Sequence, residues 1–143
     1  MFSKTSKYAI KAVLFLAVNS SEKKRVMVKE IAEPINVPQA YIAKLLQKLS
    51  REGLISSARG PKGGFYLNEF DRKQTIMNII AAIDDENKFN SCLLSLESCN
   101  SEKPCPLHNM ASHLRTELIG NLGGKSIQEI ANEVKEGRAF LPL

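Results

Sequence analysis

The sequence lacks several features that mark common protein classes. No stretch approaches the roughly 18 consecutive apolar residues that a membrane-spanning helix needs, so we expect no membrane partner. An odd count of 3 cysteines fits poorly with a secreted disulfide framework. There is no internal repeat or low-complexity tract, and no nucleophile–base or carboxylate pair with catalytic spacing stands out. We therefore expect a cytoplasmic protein that is not an enzyme.

What the chain does contain is enough apolar material for a core and an uneven distribution of charge. Its 143 residues are 43% hydrophobic and 24% charged, which predicts a globular protein. Residues 1–74 carry 14 Lys and Arg against 6 Asp and Glu, a net charge of +8, whereas residues 75–143 carry 6 against 9, a net of −3. This division indicates either a solvated basic surface or a polyanionic partner for the first half.

The first 22 residues allow two interpretations. Basic residues followed by the apolar run 12–18 resemble a signal peptide. The same apolar residues also recur at helical spacing, namely Tyr8, Ala12, Phe15 and Leu16. We favour an amphipathic helix over Lys4–Asn19, because it joins directly to the pattern that follows.

That pattern predicts two further helices separated by a tight turn. After a short strand at residues 26–28, a helix over residues 29–33 should end at Pro34, which lacks an amide hydrogen. Pro38 suits the first position of the next helix, predicted over Gln39–Glu52. Apolar side chains on this helix should face inward, namely Ile42, Leu45, Leu46 and Leu49. Polar ones should face outward, namely Lys44, Gln47, Lys48 and Arg51.

The rest of the chain alternates turns with helices. Residues 54–58 and 65–67 have strand character, and "RGPKGG" between them is the turn of a hairpin. Thr75 should cap a helix over Ile76–Ile83, closed by the polar segment "DDEN" at residues 84–87. A long helix is predicted over residues 106–121 with "GG" as its end, and Ser126 should cap a last helix over residues 127–134. The predicted fold is mostly α with a small β-hairpin.

A helix-turn-helix followed by a hairpin with a glycine-rich basic tip is the order of elements in a winged helix-turn-helix, here over residues 1–74. A helix fits the DNA major groove and reads base edges from its N-terminal half. The candidates on this helix are Gln39, Ala40, Tyr41 and Lys44. The hairpin tip would bring Arg59 and Lys62 to a minor groove. The glycines that allow a tight turn and close approach are Gly60, Gly63 and Gly64.

Three segments carry a resemblance to a known family: "TSKYAIKAVLFLA", "KEIAEPINVPQAYIAKLLQKLSREGLI" and "SARGPKGGFYL". They resemble the Rrf2 family of bacterial transcription regulators, and the resemblance covers nearly the whole chain. Its most specific element is the wing pattern R-G-x-x-G-G-[FY]-x-L, matched by residues 59–67. The resemblance implies a homodimer on a palindromic double-stranded DNA operator, with one recognition helix and one wing from each subunit.

All cysteines lie in one stretch, C-x6-C-x5-C, formed by Cys92, Cys99 and Cys105, and His108 follows three residues later. Three interpretations are open: an iron–sulfur cluster, a structural Cys3His zinc site, or metal-free thiols that act as ordinary loop residues or as a switch. The resemblance to IscR-type members, with C-x5-C-x5-C-x2-H, implies a cluster ligand role for these four residues. It also implies [2Fe–2S] rather than [4Fe–4S]. His113 is expected to lie on the surface.

Residues 75–143 would then hold the cysteine loop, a long dimerisation helix and a C-terminal helix. The predicted dimer interface is an apolar stripe beside the loop, namely Leu107, Ala111, Leu114, Leu118 and Leu122. We expect a homodimeric transcription regulator whose operator binding an iron–sulfur cluster modulates. The alternatives are a cofactor-free or thiol-responsive repressor of the same fold, and a small iron–sulfur redox protein.

Overall fold

The computed structural model describes residues 2–84 and 89–143, and it confirms a mostly helical chain with a small antiparallel hairpin. The helices and strands are α1 (Lys4–Asn19), α2 (Val28–Ile35), α3 (Gln39–Arg51), β1 (Ser56–Ala58), β2 (Gly64–Tyr66), α4 (Glu69–Arg72), α5 (Ile76–Ile83), α6 (His108–Gly124) and α7 (Ile127–Lys135). The predicted polar segment at 84–87 lies outside the described residues except for Asp84.

Helix α1 forms where the spacing of apolar residues predicts it and lies at the centre of the fold. The Ser3 side chain caps its N-terminus by accepting a hydrogen bond from the Ser6 amide. Its buried face carries mostly small side chains, namely Ala9, Ala12, Val13, Leu16 and Ala17. Helices α2, α3, α5 and α7 all pack against α1. The segment is therefore part of the folded core, as expected of an amphipathic helix.

Helices α2 and α3 form the predicted helix-turn-helix with one boundary moved. Helix α2 ends at Ile35, so Pro34 lies inside its last turn, and the prediction that Pro34 ends the helix was wrong. A proline removes only one hydrogen bond there, and burial of Ile31 and Ile35 holds the turn in place. Asn36, with a left-handed φ of 60°, ends the helix instead.

Helix α3 begins at Gln39, immediately after Pro38. Its inward face is buried as its periodicity predicts, namely at Ile42, Leu45, Leu46 and Leu49. Burying one such side chain contributes about 1.5–3 kcal/mol, so this face fixes α3 firmly against α1 and α2. The opposite face of α3 is exposed, namely at Ala40, Lys44, Gln47 and Arg51.

The hairpin is shorter than its strand-forming residues suggested. Strands β1 and β2 pair antiparallel, while residues 54–55, predicted to extend the first strand, are buried in the core. The predicted strand at residues 26–28 is reduced to one bridge between Val26 and Phe65. Gly64 has a φ of 145°, and a Cβ there would lie 2.7 Å from the Val26 carbonyl oxygen. Glycine is required at this position because a third segment crosses the hairpin there.

The helices after the hairpin follow the predicted order with two differences. Helix α4 was not predicted, although Asn68 and Asp71 each accept a hydrogen bond from the other's amide and so form a capping box. Helix α6 starts at His108 and runs through both glycines that were expected to end it. Neither glycine adopts a positive φ, so the extended backbone of Lys125 ends the helix instead.

One hydrophobic core joins elements from both halves of the chain. Buried side chains of α5 and α7 belong to the same cluster as those of α1, α2 and α3. Ile127 and Ala131 of α7 are fully buried in it. Helix α6, in contrast, has no buried residue and touches the core only through partly buried side chains. The cysteine loop, residues 89–107, leads into this loosely attached helix.

Candidate functional site

The N-terminal half of α3 presents its predicted contact residues to solvent. Gln39, Ala40 and Lys44 are exposed. Lys44 takes part in none of the ion pairs found among the described residues. Tyr41 is 37% exposed, but it is already engaged: its hydroxyl donates to the Thr5 hydroxyl oxygen at 3.0 Å. Its ring meets the Tyr8 ring edge-on at 5.7 Å. Tyr41 therefore attaches the first turn of α3 to α1.

The wing tip carries the expected cations. Arg59 and Lys62 are both exposed there, and the Gly63 amide donates to the Gly60 carbonyl at 2.9 Å to close the turn. A Cβ at Gly63 would lie 2.4 Å from the Ala58 carbonyl oxygen, so the tip cannot accommodate a side chain at that position. The turn thus holds the two cations on a narrow, glycine-lined projection.

A groove of about 470 Å³ runs between α3 and the hairpin. Its polar lining includes residues beyond the predicted contacts, namely Gln47, Ser50, Arg51 and Ser57. The hydroxyls of Ser50 and Ser57 lie 3.3 Å apart and so link the helix to β1. Arg51 and Arg59 both border the groove, which suits it to a phosphate backbone. The outward pattern of α3 indicated Gln47 and Arg51, but only the hairpin's position shows that they share a groove with the wing.

The cysteine loop brings its three sulfur atoms together. The Sγ atoms of Cys92, Cys99 and Cys105 all lie within 4.8 Å of one another, and each cysteine is half-buried. Cys92 and Cys105 are 3.6 Å apart between Sγ atoms. Cys99 Sγ lies 3.3 Å from Nδ1 of His108, the first residue of α6. The four predicted residues therefore form one cluster of donor atoms.

Hydrogen bonds and neighbouring thiols tune the acidity of two of these cysteines. A backbone hydrogen bond at Leu96 lowers the pKa of Cys92 to about 7, with smaller contributions from Leu94 and the other two thiols and some opposition from burial. At Cys99 the Cys105 amide, which donates to Sγ at 3.4 Å, favours the thiolate. Burial and the two adjacent thiols outweigh it, so the pKa of Cys99 is raised.

The donor set suits a thiophilic metal or cluster. Tetrahedral coordination with sulfur ligands at about 2.3 Å separates two sulfurs by about 3.8 Å, close to the spacing of the Cys92–Cys105 pair. A sulfur and an imidazole nitrogen on one metal would be about 3.5 Å apart, near the spacing of the Cys99–His108 pair. Soft thiolates with imidazole are ligands of both iron–sulfur clusters and zinc. His113 is exposed on α6.

The predicted dimer stripe on α6 is divided between two faces. Leu118 and Leu122 pack against the core of their own chain, and Leu107 and Ala111 are half-buried. Leu114 is 64% exposed, and Met110, which was not predicted, is 70% exposed one turn earlier. Apolar side chains that remain in solvent at adjacent turns of a helix mark a surface that a partner can cover.

The start of α1 contacts both the approach to the cysteine loop and the recognition helix. The Phe2 ring lies 5.8 Å from the ring of buried Phe89, three residues before Cys92. The hydroxyl of buried Ser6 donates to Asp84 at 2.8 Å, at the end of α5. Thr5, between them, accepts the Tyr41 hydrogen bond described above. Residues 2–8 therefore form a direct connection between the two candidate sites.

Comparison with known proteins agrees with this architecture. The sequence pattern of the Rrf2 family, described as an iron-dependent transcriptional regulator, matches residues 2–133. The chain belongs to the Rrf2 family. That family consists of transcription regulators rather than enzymes, and membership accounts for the helix-turn-helix and the basic wing. Among the described residues of this Rrf2 protein, no helix is both long and apolar enough to cross a membrane.

Relatives and solved structures support the assignment to Rrf2. A putative helix-turn-helix transcriptional regulator of Aquifex aeolicus is 34% identical over 142 residues, covering 98% of this chain and 96% of that protein. The regulator IscR of Photorhabdus laumondii is 29% identical over 126 residues, covering 88% of this chain and 76% of IscR. The fold is similar to T. potens IscR, with a TM-score of 0.72, 22% identity, and coverage of 97% of this chain and 91% of that one. It is also similar to CymR, the global cysteine regulator of B. subtilis, with a TM-score of 0.73, 23% identity, and coverage of 92% and 96%.

Proposed function

We propose that this Rrf2 protein is a cytoplasmic, homodimeric regulator whose operator binding responds to an iron–sulfur cluster held by Cys92, Cys99, Cys105 and His108. The observation that carries the proposal is the convergence of three sulfur atoms within 4.8 Å, with an imidazole nitrogen beside one of them. Clusters usually take four protein ligands, and the loop supplies that number from one chain. When bound, the cluster supplies a group that redox state or iron supply can alter.

Binding to a palindromic operator would use the exposed face of α3 and the wing in each subunit. Two-fold related recognition helices must lie about one DNA turn apart, so any change in their separation alters affinity. The net charge of +8 on residues 1–74 supplies the electrostatic part of binding. The groove with Arg51 and Arg59 supports a phosphate contact between helix and wing.

The dimer interface would be the exposed side of α6, centred on Met110 and Leu114. These side chains lie within two turns of His108, the first residue of the helix. Loading or emptying the loop would therefore act at the start of the helix that joins the subunits. This adjacency gives the cluster a physical route to the dimer geometry.

A second route would run through the first turn of α1. A cluster that orders the loop stabilises the position of Phe89 and the end of α5, where Phe2 and Ser6 make contact. The same turn holds Tyr41 through Thr5. Tyr41 would then be a positioning residue that relays the state of the loop to the first turn of α3, rather than a base-reading residue.

Anaerobic purification followed by an absorption spectrum and by iron, zinc and sulfide analysis tests the cluster. We expect visible absorbance with iron and sulfide in equal amounts. Cys99→Ala should abolish both, while Ser98→Ala, an exposed neighbour in the same loop, should leave both intact. His108→Ala should reduce cluster content and His113→Ala should not. Colourless protein, or protein with stoichiometric zinc, contradicts the proposal.

The relay through Tyr41 has its own experiment. Tyr41→Phe removes the hydroxyl that bonds to Thr5 but keeps the ring beside Tyr8. We expect unchanged iron content and a smaller difference in operator affinity between loaded and cluster-free protein. An unchanged difference would exclude Tyr41 from the relay, whereas an equal loss of affinity in both forms would make it a DNA contact.

A further inference from the structure

Two of the three thiols face each other closely. The Sγ atoms of Cys92 and Cys105 lie 3.6 Å apart, both cysteines are free, and both are half-buried and so open to small solutes. Neither residue belongs to a helix or strand. Leu93, Leu94 and Leu96, between them in sequence, are exposed. Because these side chains are not packed in the core, the loop has room to adjust.

The third thiol is held differently. Cys99 Sγ accepts the Cys105 amide hydrogen bond at 3.4 Å and lies 3.3 Å from His108 Nδ1. Joining Cys99 to another cysteine would give up both contacts. Joining Cys92 to Cys105 needs a contraction of their Sγ atoms from 3.6 Å to the disulfide bond length of about 2.05 Å. The backbone hydrogen bonds that Cys92 makes at Leu94 and Leu96 come from residues whose side chains are exposed, so that part of the loop can move with the sulfur.

We propose that the metal-free loop contains a specific oxidation site, in which a hydroperoxide joins Cys92 to Cys105 and leaves Cys99 as a free thiol. One thiolate of the pair attacks the peroxide oxygen, which forms a sulfenic acid and, with hydrogen peroxide, releases one water. The second thiol displaces hydroxide from that sulfur, so the S–S bond forms and a second water leaves. Together the two thiols lose two electrons and two protons, and the peroxide accepts the electrons and the protons as it becomes two waters.

This disulfide would remove two of the four donors proposed for the cluster. The oxidised loop could not hold a cluster until a thiol reductant restored the pair by exchange. The protein would then have three states: cluster-bound, metal-free with reduced thiols, and metal-free with the disulfide. The inference concerns the metal-free chain and stands apart from the iron–sulfur proposal, which the absorption spectrum decides.

Peptide mapping of the full-length protein tests the inference directly. Metal-free, reduced protein is treated with one equivalent of hydrogen peroxide, blocked with N-ethylmaleimide and digested without reduction. Cleavage after Glu97 and Glu102 places each cysteine on a separate peptide, whereas trypsin does not separate them because Pro104 follows Lys103. We expect the Cys92 peptide linked to the Cys105 peptide, and a Cys99 peptide that carries one maleimide.

Variants sharpen the result. Cys99→Ser should keep the linked pair of peptides, and Cys105→Ser should lose every intramolecular link. A wild-type map in which Cys99 is the main disulfide partner, or in which only links between two chains appear, overturns the inference. The wild-type map alone shows which two cysteines are joined, so the test does not depend on the folding of a variant. It also does not depend on whether the protein holds a cluster.

Discussion

The winged helix and the α6 region show two different ways of holding a structure together. In the winged helix, α1 to α3 bury continuous apolar faces, and side chains such as Leu16, Ile42 and Leu46 have no exposed surface. In contrast, α6 buries no residue and follows a loop in which Leu93, Leu94 and Leu96 are exposed. The first region is stabilised by the core that it shares with α5 and α7. The second leaves apolar side chains in solvent and thiols only half-buried, so that other molecules can bind there.

Under the proposed function, this difference separates the part of the chain that contacts DNA from the part that responds to a signal. A recognition helix must hold a constant geometry to match base edges, and dense burial supplies that rigidity. An element that responds to a signal must have low local stability, so that binding energy can change its conformation. Four experiments test this contrast between the two regions, and they follow from the largest expected effect to the smallest.

The largest effect should come from the core of the reading unit. Leu46→Ala should destabilise the protein by about 2–5 kcal/mol, because it opens a cavity where the side chain has no exposed surface. Leu94→Ala, in the cysteine loop where the side chain is 48% exposed, should change stability by less than about 0.5 kcal/mol. Urea unfolding followed by circular dichroism measures both. Equal costs would mean that the loop is as well packed as the core.

The next largest effect should come from the exposed face of α6. Leu114→Lys should weaken the dimer by about 1.5–3 kcal/mol, about 10- to 150-fold in dissociation constant, because it puts a charge where an apolar side chain is to be covered. Thr116→Lys lies about 200° further round the same helix and should have little effect. Sedimentation velocity over a concentration series compares them. An unchanged dimer in Leu114→Lys would place the interface elsewhere.

A smaller effect is expected at the wing. Arg59→Ala should reduce DNA affinity by about 1–2 kcal/mol and lower the slope of log affinity against log salt by about 1, because one phosphate or minor-groove contact is lost. Lys135→Ala removes an exposed cation of α7 and should leave the slope unchanged. Fluorescence anisotropy with a labelled operator at several salt concentrations measures both. Equal slopes for Arg59→Ala and the wild type would exclude the wing from DNA contact.

The smallest effect is a difference in thiol reactivity with pH. Because the pKa of Cys92 is lowered to about 7, its thiolate predominates above pH 7 and is lost as the pH falls below it. The pKa of Cys99 is raised, so it should react with iodoacetamide only at higher pH. Alkylation of metal-free protein at pH 6 to 9, followed by peptide mass spectrometry, gives a rate for each cysteine. Identical profiles would contradict this ordering.

Local signals predicted most of the elements, and tertiary packing explains the exceptions. The bounds of α1 and α5 follow from apolar spacing and from the caps at Ser3 and Thr75. The predicted ends of α2 at Pro34 and of α6 at its glycine pair were wrong. They were predicted there because proline and glycine usually end a helix. Burial of Ile35 extends α2, and a β-bridge between Ser126 and the distant Thr75 fixes the backbone just after the end of α6. Local propensity cannot register such long-range constraints.

The amino-acid pattern alone specifies the residue types available to this protein: a cationic helix-turn-helix with a glycine-rich wing, and three cysteines followed closely by a histidine. These depend on composition and spacing along the chain, which folding does not change. The folded chain, in contrast, is needed to see that Arg51 shares a groove with Arg59, that Tyr41 bonds to Thr5, and that Cys92 faces Cys105. The packing of α3 against α1 brings Tyr41 to Thr5. The other two pairs are neighbours because of the turns that the hairpin and the cysteine loop make, and a pattern along the chain does not record the path of the backbone between them.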